Sequence, residues 1–211
     1  MAALYHGGMT SPPFPATNQT LLLAAVILAF YAHVLIPPPG EMLPGDDFVH
    51  QFYPWFRFVS ATVRDTGALP LWNPHQFLGS SVAANPQIGL LYPPNWLVIP
   101  FGPDRVTSAV ALLIVLHAVW AGWGTYTLLR LWGANRAGAI VAALLVATGG
   151  YFTARVRAGH YSMITAYAWV PWVLAGYRLA LLRGGWLWAL PGGMALGLGI
   201  LAGYPQLIYF L

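Results

Sequence analysis

The sequence contains no cysteine and no lysine. Without cysteine there is no disulfide, no thiolate metal site and no cysteine nucleophile, and the redox compartment leaves no mark on the chain. Charge of either sign is scarce, at 7% of 211 residues, where soluble domains carry about a quarter. The formal net charge of +4 comes from scattered arginines that form no basic stripe, so nucleic acid is not an expected partner; they read as membrane-interface anchors. Several catalytic signatures are missing as well. There is no phosphate loop, no Gly-x-Ser-x-Gly elbow and no His-Glu-x-x-His. Gly197-Leu198-Gly199 falls inside an apolar run and is no dinucleotide fingerprint.

What is present is apolar, 58% of the residues. Five stretches approach the roughly 17–25 uncharged residues that cross a bilayer: Thr20–Ile36, Val106–Leu129, Ala137–Thr153, Tyr161–Tyr177 (running on past Arg178 to Leu182), and Gly184 to the end. Five in succession leave too little polar surface for a soluble protein. The expected fold is an all-α polytopic membrane protein with about five transmembrane helices. Its parts are an N-terminal tail (1–19), a first span (20–36), a long loop (37–105) and the remaining spans (106–211). Met1 to Asn18 has no lysine or arginine, and the first run leads into Pro37-Pro38-Pro39-Gly40. It reads as a retained helix rather than a cleaved signal peptide. Gly193-x-x-x-Gly197 and Gly199-x-x-x-Gly203 predict close helix packing. The chain stops inside an apolar stretch, which reads as the N-terminal fragment of a longer protein.

The long loop holds all five acidic residues: Glu41, Asp46, Asp47, Asp65 and Asp104. Within it, Trp55–Arg64 reads as a short interfacial helix, with Arg57, Ser60 and Arg64 on one stripe and Trp55, Phe56, Phe58, Val59 and Val63 on the other side. Arg130 and Arg136, then Arg178 and Arg183, mark two connections as cytoplasmic by the positive-inside tendency. That places the long loop outside, together with the Ala154–His160 connection. Arg155 and Arg157 then stand on the side the tendency disfavours.

Asp46-Asp47 after Pro44-Gly45 has two readings: a turn or helix cap, or a carboxylate pair that deprotonates a hydroxyl or holds a divalent cation such as Mg or Mn. Arg155, Arg157 and His160 are either interfacial anchors or a clamp for a phosphate headgroup. His117, deep in the second span, and His33, near the end of the first, are functional candidates by depth. A neutral histidine bonded to a neighbouring helix explains His117 equally well. His50, Gln51, His75, Gln76, Asn85 and Gln87 lie among aromatics, a mixture found on carbohydrate-facing surfaces and on any wet loop.

Several strings resemble the YfhO family of bacterial membrane proteins, which is similar to the GT-C superfamily of polyprenyl-phosphate-dependent glycosyltransferases. They are Gly45-Asp46-Asp47 with Gln51-Phe52-Tyr53-Pro54-Trp55, Gly67-Ala68-Leu69-Pro70-Leu71-Trp72-Asn73-Pro74, Phe77-Leu78-Gly79, and Ala84-Asn85-Pro86-Gln87 with Leu91-Tyr92-Pro93-Pro94. Gly159-His160-Tyr161 and Gly203-Tyr204-Pro205-Gln206 follow later. The resemblance implies a GT-C-like fold in the cytoplasmic (inner) membrane. It implies transfer of a sugar from a polyprenyl-phosphate donor to a glycan or protein acceptor at the outer face. Asp47 or Asp46 is then the expected base, with Arg155, Arg157 and His160 at the donor phosphate. Gln51, Tyr53, Trp72, Asn73, Asn85, Gln87 and Gln206 are the expected substrate-binding side chains. The rival expectation is a non-catalytic membrane protein, either a lipid-linked-sugar transporter or an envelope-assembly scaffold.

Overall fold

The structure is a computed structural model that describes residues 17–36 and 42–211. The expectations for the N-terminal tail up to residue 16, for the Pro37–Gly40 turn and for Glu41 lie outside the described residues. The chain is mostly helical. It opens with α1 (Thr17–Phe30) and α2 (Ala32–Leu35), broken at Tyr31. A π-helical turn (Phe48–Phe52) leads into α3 (Tyr53–Thr66), which stops at Gly67 in the left-handed conformation. The rest of the loop holds a two-residue antiparallel pair, β1 (Trp72–Asn73) with β2 (Ser80–Ser81). Three proline-led 3-10 turns and the short α4 (Val98–Phe101) complete it. The membrane-like part comprises α5 (Val106–Leu131), α6 (Arg136–Thr148), α7 (Gly150–Ala158), α8 (Tyr161–Tyr167), α9 (Val170–Arg183), α10 (Leu190–Leu201) and α11 (Pro205–Tyr209).

Helix α5 is the hub. It packs against α1, α6, α8 and α9, and α10 covers α9. Two helical runs, Pro103–Leu131 and Arg136–Ala158, are long and apolar enough to cross a membrane. The other expected stretches are helical but interrupted, and the interruptions have local causes. Pro171, Pro191 and Pro205 each sit in the first turn of a new helix, where the missing N–H costs nothing. The helix that starts at Arg136 is capped by Asn135, whose Oδ1 accepts from Gly138 N at 2.8 Å. It stops at Gly149, whose backbone is extended, and α7 takes up the same run from Gly150 to Ala158, so Arg155 and Arg157 ride on the last turn of α7 rather than in a loop.

The π-turn and α3 lie on the core through Phe52, Trp55, Phe56 and Val59. Ser60 departs from the expected polar stripe: it is fully buried, and its hydroxyl has no partner among the described residues. At about 100° per residue it stands nearer to Phe56 than to Arg57 around the helix, so the apolar face takes it in. Of the two predicted spacings, Gly199-x-x-x-Gly203 packs closely at both glycines, whereas close packing between α9 and α10 uses Gly176 and Gly192 rather than Gly193 and Gly197. A Cβ on Gly192 would lie 3.2 Å from the Gly176 carbonyl carbon, whereas Gly193 and Gly197 face open space. Gly199 is tight, with Ile208 Cδ1 at 2.8 Å from where its Cβ would be.

Candidate functional site

The first loop and the α7–α8 turn meet through two glycines. Gly159 ends α7 with φ of 75°, and His160 N bonds back to Arg155 O at 3.0 Å, the pattern of a left-handed helix stop. A Cβ on Gly159 would lie 2.6 Å from Phe48 N. Gly45, with φ of 102°, is packed so closely that a Cβ there would overlap the Ala158 carbonyl and Gly159 N. Only glycine permits both the backbone conformation and the approach.

This contact sets Asp47 against His160. Asp47 Oδ2 is 3.3 Å from His160 Nε2, and Asp47 Oδ1 accepts from Gln51 Nε2 at 3.0 Å, one helical turn on. On the far side of the imidazole, Arg155 Nη1 donates to His160 Nδ1 at 3.0 Å. An accepting Nδ1 carries no proton, so Nε2 holds the hydrogen that faces the carboxylate. The Arg155 guanidinium also lies over the Tyr151 ring, 5.1 Å from its centre, within cation–π range. The result is a chain of polar groups, Gln51–Asp47–His160–Arg155, in which each partner fixes the next.

Asp46 is exposed. Its backbone carbonyl accepts from His50 Nδ1 at 3.0 Å, while its carboxylate makes no hydrogen bond or ion pair among the described residues. Arg157, two residues from Arg155, is exposed and likewise unpaired among them; positions i and i+2 do not share a helix face. Among the described residues no group of three or more His, Cys, Asp or Glu gathers around a metal-sized space. A cation here would complete its shell from phosphate oxygens and water, the usual manner for Mg²⁺.

The other expected site residues fall elsewhere. Tyr53 and Asn73 line a separate polar cleft on the outer face of α3. Trp72 is exposed on β1, stacked over Gly79. Asn85 caps the Pro86–Ile88 turn by accepting from Gln87 N at 3.1 Å, and Gln87 is exposed. Gln206 Oε1 accepts from Tyr204 Oη at 3.3 Å. Here too a glycine closes the contact: a Cβ on Gly203 would lie 2.6 Å from Pro86 O. The two later strings of the resemblance thus each dock by a glycine onto a first-loop string. His33 is exposed and bonds to Phe30 O.

Two interior residues, Asn95 and Tyr161, were not among the expected site residues. Asn95, buried, donates to the carbonyls of Ile88 and Gly89 at 3.1 Å each and accepts from Tyr161 Oη at 2.7 Å. Tyr161, next to His160 in the chain, packs edge-on to Phe52 and Phe56. Their signal was the polar atom inside Pro93-Pro94-Asn95-Trp96 and the tyrosine following His160. His117 is bonded rather than free: Tyr92 Oη donates to its Nε2 at 2.7 Å, its Nδ1 bonds Leu113 O, and Trp169 Nε1 donates to Tyr92. Among known proteins, no family model, no curated protein and no solved structure matches this chain.

Proposed function

We propose that this protein is a membrane-embedded glycosyltransferase of GT-C-like architecture, with about five spans in the inner membrane. In this reading it transfers a sugar from a polyprenyl-phosphate donor to a cell-envelope acceptor at the outer face. The observation that carries the reading is the Asp47–His160–Arg155 chain. It joins an acidic loop that follows the first apolar helix to the end of α7, and so sets the expected base beside an expected phosphate ligand. The resemblance of the loop strings to the YfhO family supports the same assignment. Large apolar side chains exposed on the outer helices, such as Leu21, Val141, Leu145 and Met194, support a lipid environment.

In the mechanism, Asp47 takes the proton of an acceptor hydroxyl as that oxygen attacks the anomeric carbon. The bond from that carbon to the donor phosphate oxygen breaks, and the phosphate leaves with the electron pair. His160 and Gln51 hold the carboxylate in place, and the free donors of Arg155 offset the growing phosphate charge. A divalent cation held by Asp46 and the donor's own phosphate would supply further charge neutralisation. One base and no covalent intermediate imply inversion at the anomeric carbon.

The test is a transfer assay on membranes carrying wild-type protein, Asp47→Asn, Asp46→Asn or Arg155→Ala, each matched for abundance. Asp47→Asn is expected to lower turnover by about 10²-fold or more, in line with the loss of a general base. Wild-type turnover by Asp47→Asn would remove Asp47 as the base, and wild-type turnover by both aspartate variants would end the enzyme reading in favour of a scaffold.

A further inference from the structure

We propose that the cleft along the outer face of the π-turn and α3 is a binding site for a phosphate-bearing ligand, anchored by Arg57. The cleft has a volume of about 560 Å³, within the range of small-molecule sites. One wall is a stripe of the helix, His50, Arg57 and Arg64, at intervals of seven residues. Two turns separate neighbours, roughly 10 Å along the axis. The other walls are the loop carrying His75 and Gln76, and Asp104 beside the start of α5. None of Asp47, His160 or Arg155 lines it, so the inference does not rest on the proposed transferase chemistry.

The charges in this cleft are not cancelled internally. Arg57 makes no hydrogen bond or ion pair among the described residues. Arg64 uses only Nε, at 3.1 Å from Asp65 Oδ1, in a pair that is more than half exposed, which leaves its terminal nitrogens free. Asp104 is also unpaired among the described residues, although it shares the cleft with two arginines. The wall opposite the helix is held firmly. The buried Trp55 donates its indole N–H to Gln76 Oε1 at 2.9 Å, His75 N bonds Asn73 Oδ1 at 2.9 Å, and the His75 ring stands edge-on to Phe58 at 6.1 Å. A fixed cleft with guanidiniums on one side suits a phosphate, which accepts two parallel N–H bonds from one fork. The lone carboxylate across it favours a ligand that carries an ammonium group next to the phosphate. Phosphoethanolamine has both groups, either as a free ester or as the headgroup of a phospholipid in the adjoining bilayer.

The detergent-purified full chain is titrated calorimetrically with O-phosphoethanolamine and with inorganic phosphate. Phosphatidylethanolamine retention is read by native mass spectrometry. Arg57→Ala is expected to weaken binding at least about tenfold, with partial recovery in Arg57→Lys. Asp104→Asn is expected to remove the preference for phosphoethanolamine over phosphate. Arg57-dependent binding of the free ester identifies a soluble ligand. Lipid retained by wild type and lost in Arg57→Ala, without binding of the free ester, identifies the bilayer as the source. Arg57→Gln serves as a second variant, and unchanged melting confirms that either one is folded. If wild type binds none of the three probes, or the folded variants bind as well as wild type, the proposal is overturned.

Discussion

His160 presents Nε2 to the Asp47 carboxylate at 3.3 Å, although α5 and α6 separate the two residues in the chain. The contact adds little strength, since both side chains are partly exposed and water competes for the same hydrogen bond. Its value is positional. The backbone of the α7–α8 turn is pressed against the start of the π-turn, and the side chains follow.

That makes the glycines the sensitive points. Gly159→Ala and Gly45→Ala each place a methyl where backbone already stands, on a backbone with positive φ. Each is expected to cost about 1–3 kcal/mol and to reduce the proposed transferase activity with it. Denaturant or thermal unfolding in detergent checks the first part; two alanine variants that melt like wild type would mean the close approach is absent.

Tyr161→Phe removes the hydroxyl that satisfies Asn95 Oδ1 while keeping the ring against Phe52 and Phe56. A buried acceptor is left without its partner, at a cost of about 1–3 kcal/mol. The same variant paired with Asn95→Leu should cost less than the sum of the two changes, because the orphaned group is then gone. Strict additivity in that double-mutant cycle would argue against the bond.

The polar chain Trp169–Tyr92–His117–Leu113 is expected to behave as one unit. Tyr92→Phe and His117→Leu, combined, should show a coupling energy of about 0.5–3 kcal/mol, measured by unfolding of the single and double variants. Tyr92 stays a protonated phenol over the whole working pH range, because burial pushes it far above its ordinary value and outweighs the opposing bond from Trp169. Stability of this link should therefore be flat against alkaline titration up to ordinary tyrosine ionisation.

For α9 and α10, Gly176→Leu or Gly192→Leu should separate the helices and destabilise the protein by more than about 1 kcal/mol. Gly193→Ala and Gly197→Ala, which meet nothing, should fall within about 0.5 kcal/mol of wild type. The opposite order would restore the spacing-based pairing.

Because the chain has no cysteine, single introduced thiols report membrane sidedness without background. Ser80→Cys in the long loop should react with an impermeant maleimide in intact cells, and Ala134→Cys, between α5 and α6, only after permeabilisation. Labelling with the sides reversed would put Asp47 in the cytoplasm and defeat the outer-face reading.

Much of the helical content was legible because long apolar runs and proline punctuation are local properties. Val106–Leu129 was readable as one helix because nothing interrupts it, and the helix across Trp55–Arg64 because aromatic and basic residues recur with its period. Ser60 was misplaced because a single hydroxyl sits near the boundary of two faces, where a few tens of degrees decide its environment. The glycine pairing of α9 with α10 was missed because small-residue spacing marks a surface capable of close approach without saying which glycine meets a partner.

The linear chain by itself determined the apolar, helix-forming character of most of this protein, the acidic loop after the first apolar helix, and the candidate residues Asp46, Asp47, Arg155 and His160. Composition and periodicity decide these, since each depends on neighbours a few residues away. Only the tertiary structure decided that Asp47 and not Asp46 meets His160, that Arg155 and not Arg157 joins them, and that Tyr53 and Asn73 belong to a different cleft. Those choices depend on how far Gly45 sinks into Gly159 and how α3 is rotated on the core, and contacts between distant segments leave no period in a sequence.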